Sequence, residues 1–136
     1  MSGAADVRVD LAHLPLVRCN VTDLNQAFLN LFVNAMDAIE EIGAPGTIRV
    51  ATSVDGEHVT VSISDTGAGI PEDVLPKIFD PFCTTKEVGR GSGQGLALVR
   101  AIVQEGHGGT VVAASRPGSG STFTIRLPIA GVPQPH

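Results

Sequence analysis

Residues 47–65, TIRVATSVDGEHVTVSISD, alternate apolar and polar side chains on both sides of Asp55-Gly56. Period-two alternation marks half-buried strands, and Asp-Gly between two such runs is a hairpin signal. Two antiparallel strands are therefore expected, at 47–54 and 58–65. Upstream, a helical pattern runs from about residue 24 to residue 42, with cap candidates between Asn20 and Asp23 and Gly43 suited to end it. At about 100° per residue, Leu24, Ala27, Phe28, Leu31, Phe32, Ala35, Ala38, Ile39 and Ile42 fall in one arc that must face the sheet. VRVDL at 7–11 reads as a further strand, and LVRC at 16–19 as a short one. Downstream, Pro71 suits the first position of a short helix, with Glu72 and Asp73 favourable in its first turn. Residues 80–92 read as a loop, 93–105 as a helix, and GTVVAAS and STFTIRLP as a final hairpin around 117–120. The tail after Pro128 is expected to fray. Strands that arrive mainly as hairpins argue against a doubly wound parallel sheet. The expected class is α/β, with a mixed, mostly antiparallel sheet and helices packed on one face.

The chain has 136 residues, 43% of them apolar and 17% charged, which fits a single folded soluble domain. We expect one domain over 1–136, with a core at about 7–128 and short flexible tails. The net charge of -5 and the scatter of nine Lys and Arg argue against a nucleic-acid partner. No apolar run approaches the roughly 18–20 residues of a membrane span, and no signal peptide follows Met1. Cys19 and Cys83 lack metal-ligand spacing and read as reduced thiols. A cytoplasmic domain without membrane contact is the expectation.

Three segments carry chemistry. On the first helix, Asn30, Asn34, Asp37 and Glu41 form a stripe apart from the apolar arc. For Glu41 a solvated face is the better reading. For the asparagines it fits less well, because Lys, Glu or Gln would solvate at lower helical cost. An amide oxygen suits a Mg²⁺ ion that already carries phosphate and water ligands; the helix alone leaves the two readings level. In SDTGAGIP, Asp65 ends a strand and is an acceptor able to take a hydrogen bond from an exocyclic amine. Gly67 and Gly69 permit positive φ and close approach of a flat ring. Alone, this is also an ordinary Asp-x-Gly turn. In VGRGSGQGLAL, alternating glycines precede a helix and can bring backbone N–H groups to phosphates. The spacing is neither a Walker A loop nor a Rossmann fingerprint.

In order, NLFVNAMDA, DTGAGIP, FDPF, GSGQGLAL and GSGSTF resemble the successive boxes of the ATP-binding domain of sensor histidine kinases. That superfamily also holds gyrase B, the mismatch-repair ATPases and the heat-shock chaperone ATPase. The resemblance spans nearly the whole chain, and FDPFCTTK with His107-Gly108-Gly109 is similar to a short-lid group of these kinases. It implies a two-layer α/β sandwich of the Bergerat type, with about three helices on one face of the sheet. It implies that Asn34 binds Mg²⁺, that Asn30 supports the phosphates, and that Asp37 lines the pocket. Asp65 would hold the adenine amino group, with Gly67 and Gly69 beneath the ring and Thr122 nearby. Phe79 and Phe82 would anchor the lid, Lys86 would reach the phosphates, and Gly91, Ser92, Gly93, Gly95 and Leu96 would wrap them.

The same resemblance separates kinase from ATPase. Hydrolytic members carry Glu one turn before the Mg²⁺ Asn, as general base for water. Here that position is Asn30, whose amide takes no proton at neutral pH. Bound ATP would then await a histidine on a separate helical dimerisation domain. None of His13, His58, His107 and His136 has the setting of that acceptor. The expectation is an isolated catalytic domain, monomeric alone, that binds ATP and Mg²⁺ without phosphorylating itself and reaches a response regulator only indirectly. A parent kinase could be membrane-anchored. The alternatives are a nucleotide-binding interaction module and, less favoured, a hydrolytic ATPase. Cys83 and Gln94 depart from the family pattern, at the lid and just before Gly95.

Overall fold

The computed structural model describes residues 5–10, 19–80, 95–116 and 118–130. In chain order these form β1 (Ala5–Asp10), α1 (Val21–Ile42), β2 (Gly46–Asp55), β3 (His58–Asp65), a 3₁₀ turn (Leu75–Lys77), α2 (Gly95–Arg100), a π-turn (Ala101–Glu105), β4 (Thr110–Arg116) and β5 (Gly120–Pro128). The strands make one sheet in the order β1-β2-β3-β5-β4. Among the described strands only the β1–β2 pair is parallel. The sheet is therefore mixed and mostly antiparallel, as the two hairpins require.

Local chemistry sets the boundaries. Asn20 caps α1, its side chain accepting the Asp23 N–H at 3.0 Å, and Gly43 ends the helix in the left-handed region at φ 66°. Asp55 pairs with His58 across the hairpin, and Gly56 turns the chain there at φ 61°. The register puts Ile48, Asp65 and Ser121 in one row, and Val50, Ile63 and Phe123 in the next. This face carries the helices. Leu24, Ala27, Leu31, Ala35 and Ile39 of α1 meet Ile48, Val59, Ile63, Phe123, Ile125 and Leu127, all buried. Ile42, assigned to the apolar arc, lies at the end of α1 and is largely exposed. The opposite face is polar, with Ser53, Thr60, Ser62, Ser64, Thr122 and Thr124 on alternate positions, as expected of an antiparallel sheet covered on one side.

Two expectations need correction. The segment after Pro71 forms turns and the 3₁₀ turn rather than an α-helix. Pro76 explains this: it has no N–H to give the carbonyl of residue 72, and its ring would crowd that carbonyl. The described residues consequently hold two α-helices, not about three. The second helix also changes pitch at Ala101–Glu105, where the Gly106 N–H reaches back five residues to the Ala101 carbonyl. Residues 16–18 of the strand expected at 16–19 and residues 81–92 of the loop expected at 80–92 lie outside the described residues; Cys19 is exposed and outside any strand.

Candidate functional site

The buried end of β3 supplies an unusual group: Asp65 is only 6% exposed on a face otherwise lined by Ile48, Ile63 and Phe123. Its Oδ1 accepts the Gly67 N–H at 2.9 Å, and the Ser121 N–H also donates to the carboxylate. Burial raises its pKa, and the two backbone hydrogen bonds offset only part of that rise. Such a carboxylate is short of donors, and a ligand amine would supply one.

The turn after Asp65 is held from three sides. A Cβ on Gly67 would lie 2.6 Å from the Ala38 carbonyl oxygen of α1, and the neighbouring Ala68 N–H donates to that same oxygen at 3.1 Å. Gly67 is thus needed for contact with the helix, which the ring-approach argument did not foresee. Gly69 does adopt positive φ, at 78°. From the β4–β5 turn, the Gly118 N–H donates to the Ala68 carbonyl at 2.7 Å. Gly120, at φ 102°, passes so close to the Asp65 backbone that a Cβ would collide with the Asp65 carbonyl. The Ser115 Oγ accepts the Ile70 N–H at 2.7 Å and lies 3.0 Å from the Gly120 carbonyl and 2.9 Å from the Ser121 Oγ.

The polar stripe of α1 runs along this site. Its C-terminal end meets the turn at Ala38, beside the half-buried Asp37; its N-terminal end meets α2. There Asn30 Nδ2 donates to the Gly95 carbonyl at 3.2 Å, while its Oδ1 accepts Gln26 Nε2 at 2.7 Å. Asn34, half-buried, lies one turn on between these anchors, and Glu41 is exposed as expected. Leu96 packs against the core at the start of α2. Phe79 meets Phe123 edge-on, with ring centroids 6.2 Å apart. The structure thus sets Asn30 against Gly95 at one end of the stripe and the turn of Asp65, Gly67 and Gly69 against Ala38 at the other, with Asn34 and Asp37 on the helix between and Leu96 at the start of α2. Phe82, Lys86, Gly91, Ser92 and Gly93 lie outside the described residues.

Thr122 is not brought to this face. It pairs with Ser64, their hydroxyls 3.0 Å apart on the open side of the sheet, whereas Ser121 pairs with Asp65 on the helix side. Ser121, two residues before the core residue Phe123, could have been placed by strand alternation. Nothing local pointed to Ser115. His107, expected near a helix end, is buried there; its Nδ1 donates to the Ile102 carbonyl at 2.8 Å and its Nε2 accepts the Asn20 N–H at 2.9 Å. Both ring nitrogens are occupied, and they join the end of the second helix to the start of the first.

The donor set also bears on a metal. Among the described residues no three His, Cys, Asp or Glu side chains cluster as a cage. A single neutral amide oxygen such as that of Asn34 fits Mg²⁺ arriving with phosphate oxygens and water, because Mg²⁺ dehydrates reluctantly.

An α/β sandwich with a buried acceptor at one end of a strand and a polar helix stripe beside it defines a nucleotide-binding domain. Residues 19–131 match the family described as histidine kinase-, DNA gyrase B-, and HSP90-like ATPase. The chain belongs to this family. It is 46% identical over 116 residues to the sensor histidine kinase ZraS of Escherichia coli K12, covering 85% of this chain and 24% of ZraS. It is 40% identical over 125 residues to the sensor kinase CckA of Brucella abortus strain 2308, covering 82% of this chain and 13% of CckA. Among solved structures, the catalytic domain of histidine kinase ThkA superposes with a TM-score of 0.79 at 32% identity, covering 93% of this chain and 81% of that one. Full-length ShkA in complex with AMPPNP superposes with a TM-score of 0.79 at 29% identity, covering 98% of this chain and 27% of ShkA. The chain thus corresponds to the catalytic ATP-binding domain of sensor histidine kinases and spans about a quarter of ZraS.

Proposed function

We propose that this domain binds ATP with Mg²⁺ and presents the γ-phosphoryl group to a histidine on a separate dimerisation domain of a sensor kinase. The observation that carries the reading is Asn30. It stands where hydrolytic members of the family carry Glu, and its amide is engaged by Gln26 and by the Gly95 carbonyl. An amide so held cannot take a proton from water, so bound ATP persists until a stronger nucleophile arrives. Asp65 accepts from the adenine 6-amino group, and the turn through Gly67 and Gly69 holds that carboxylate in place. Asn34 holds Mg²⁺, which supplies charge neutralisation at the phosphates. Asn30, Lys86, Gly91, Ser92, Gly93, Gly95 and Leu96 surround the triphosphate, Asp37 lines the pocket, and Phe79 and Phe82 anchor its lid. Phosphoryl transfer asks a protein mainly for alignment and electrostatic stabilisation, which such a site provides.

The domain acts in the cytoplasm as a monomer when isolated, without membrane or nucleic-acid contact. It influences a response regulator through its dimerisation domain; ThkA has been solved in complex with the response regulator protein TrrA. The test mixes this domain with its separately expressed cognate dimerisation domain and γ-labelled ATP. Label on the histidine of that domain is expected. ATP binding without label would leave a nucleotide-binding module instead. Steady phosphate release that disappears in Asn34→Ala would make the chain an ATPase.

A further inference from the structure

We propose that Ser115 is a specificity-determining positioning residue: by fixing where the Ser121 proton points, it leaves acceptors facing the base and selects a 6-amino purine over a 6-oxo purine. This rests on the nucleotide reading of the site and adds to it a residue on β4 outside the motifs that define the family resemblance. The argument is a count of protons. A serine hydroxyl has one proton to give and two lone pairs. The Ser115 Oγ receives the Ile70 N–H at 2.7 Å. It lies 3.0 Å from the Gly120 carbonyl, which has no proton, so this contact takes the Ser115 proton. With that proton spent, the 2.9 Å contact between the two serine hydroxyls forms only if Ser121 donates. Ser121 is then left with lone pairs alone.

Ser121 and Asp65 are cross-strand partners on the same face, 5% and 6% exposed. With Asp65 ionised, both side chains offer acceptors and no donor. An exocyclic 6-amino group is a donor and satisfies them, whereas a 6-oxo group sets one more acceptor against them. A buried acceptor left unpaired loses its full desolvation energy, so the discrimination does not depend on shape. The hydroxyl of Ser115 also fixes Ile70, just after Gly69, and so holds the turn that carries Asp65.

The test compares Ser115→Thr with Ser115→Val. The new side chains have nearly the same shape, both suit a strand, and they differ in the hydroxyl. ATP and inosine triphosphate, which differ in the 6-substituent and in the N1 proton that accompanies the 6-oxo group, are titrated by calorimetry in the presence of Mg²⁺. Wild type and Ser115→Thr are expected to prefer ATP by the same ratio. Ser115→Val frees the Ser121 hydroxyl to donate, and the ratio should fall by about fivefold, the value of one hydrogen bond. Ser121→Ala should lower the ratio by itself, with no further fall when Ser115→Val is added. Equal weakening of both triphosphates by Ser115→Val would reduce Ser115 to a support for Ile70 and overturn the proposal. A wild-type ratio in Ser121→Ala would overturn it as well. Failure of the wild type to bind ATP is a separate result, which overturns the nucleotide reading itself.

Discussion

Replacing Asp65 by Asn should separate binding from stability. The carboxylate oxygens now serve two backbone donors, Gly67 N–H and Ser121 N–H, and have capacity left for a ligand amine. An asparagine has one oxygen. With the Gly67 N–H holding that oxygen, the new NH₂ is turned toward the Ser121 N–H or toward the adenine amine, donor against donor. The loss is a hydrogen bond to a charged group, about 1.5–3 kcal/mol, or roughly 10- to 150-fold in ATP affinity.

Stability moves differently. Burial raises the Asp65 pKa above its usual 3.8, so the folded state holds the proton more tightly than the unfolded chain. The contribution of that proton to stability is fully present below 3.8 and is lost as pH rises through the elevated folded value. Asp65→Asn removes this term. The stability of the wild type relative to the variant should therefore fall with rising pH through that window and level off above it. ATP binding to the wild type should strengthen over the same window, since the amine needs the ionised form. Urea unfolding between pH 3 and 7 reads the first effect, with the other carboxylates cancelling in the difference; calorimetry with ATP reads the second. Binding within threefold of wild type, or a stability difference that does not change with pH, would refute the reasoning.

Three further outcomes are expected. Gly120→Ala should destabilise the fold by more than the roughly 1 kcal/mol of an ordinary Gly substitution, because φ is 102° and the added Cβ meets the Asp65 backbone; thermal melting reads this. Asn30→Glu should raise phosphate release from ATP toward the ~10²-fold that a positioned base can supply, and a phosphate-release assay showing no gain would weaken the account of Asn30. His107→Leu should cost about 1–3 kcal/mol in denaturant unfolding, since it strands the Asn20 N–H and the Ile102 carbonyl.

What could be read from the sequence was whatever depends on near neighbours. The β2–β3 hairpin follows from alternation and Asp55-Gly56, and α1 from its apolar arc and from Asn20 and Gly43 at its ends. The short helix expected after Pro71 does not form, because Pro76, five residues later, forbids the next hydrogen bond whatever the favourable first turn suggests. Contacts between distant segments had no local signature. Gly67 needs its missing side chain because of Ala38, Ser115 matters because of Ile70 and Ser121, and His107 because of Asn20. Motif correspondence points to Thr122, whereas strand alternation counted back from Phe123 puts Ser121 on the helix-facing side.

The clearest mark of the site is where the packing pattern is broken. On the helix-facing side of the sheet, the rows that β3 and β5 share are apolar (Val59 with Leu127, Val61 with Ile125, Ile63 with Phe123) until the last, where Asp65 and Ser121 stand beside Ile48. A fold selected for stability alone would fill that row with Val or Ile, since burying a carboxylate costs free energy that two backbone N–H groups only partly return. The neighbouring contacts hold the backbone rather than neutralise the charge: Gly67 lies against Ala38, Gly118 donates to Ala68, and Gly120 lies against Asp65 itself. The fold thus holds in place a group that is costly to bury, and among the described residues no cationic side chain contributes to its shifted pKa. A donor that arrives with the nucleotide supplies what this row lacks, so local departure from the packing rule and ligand specificity have the same physical origin.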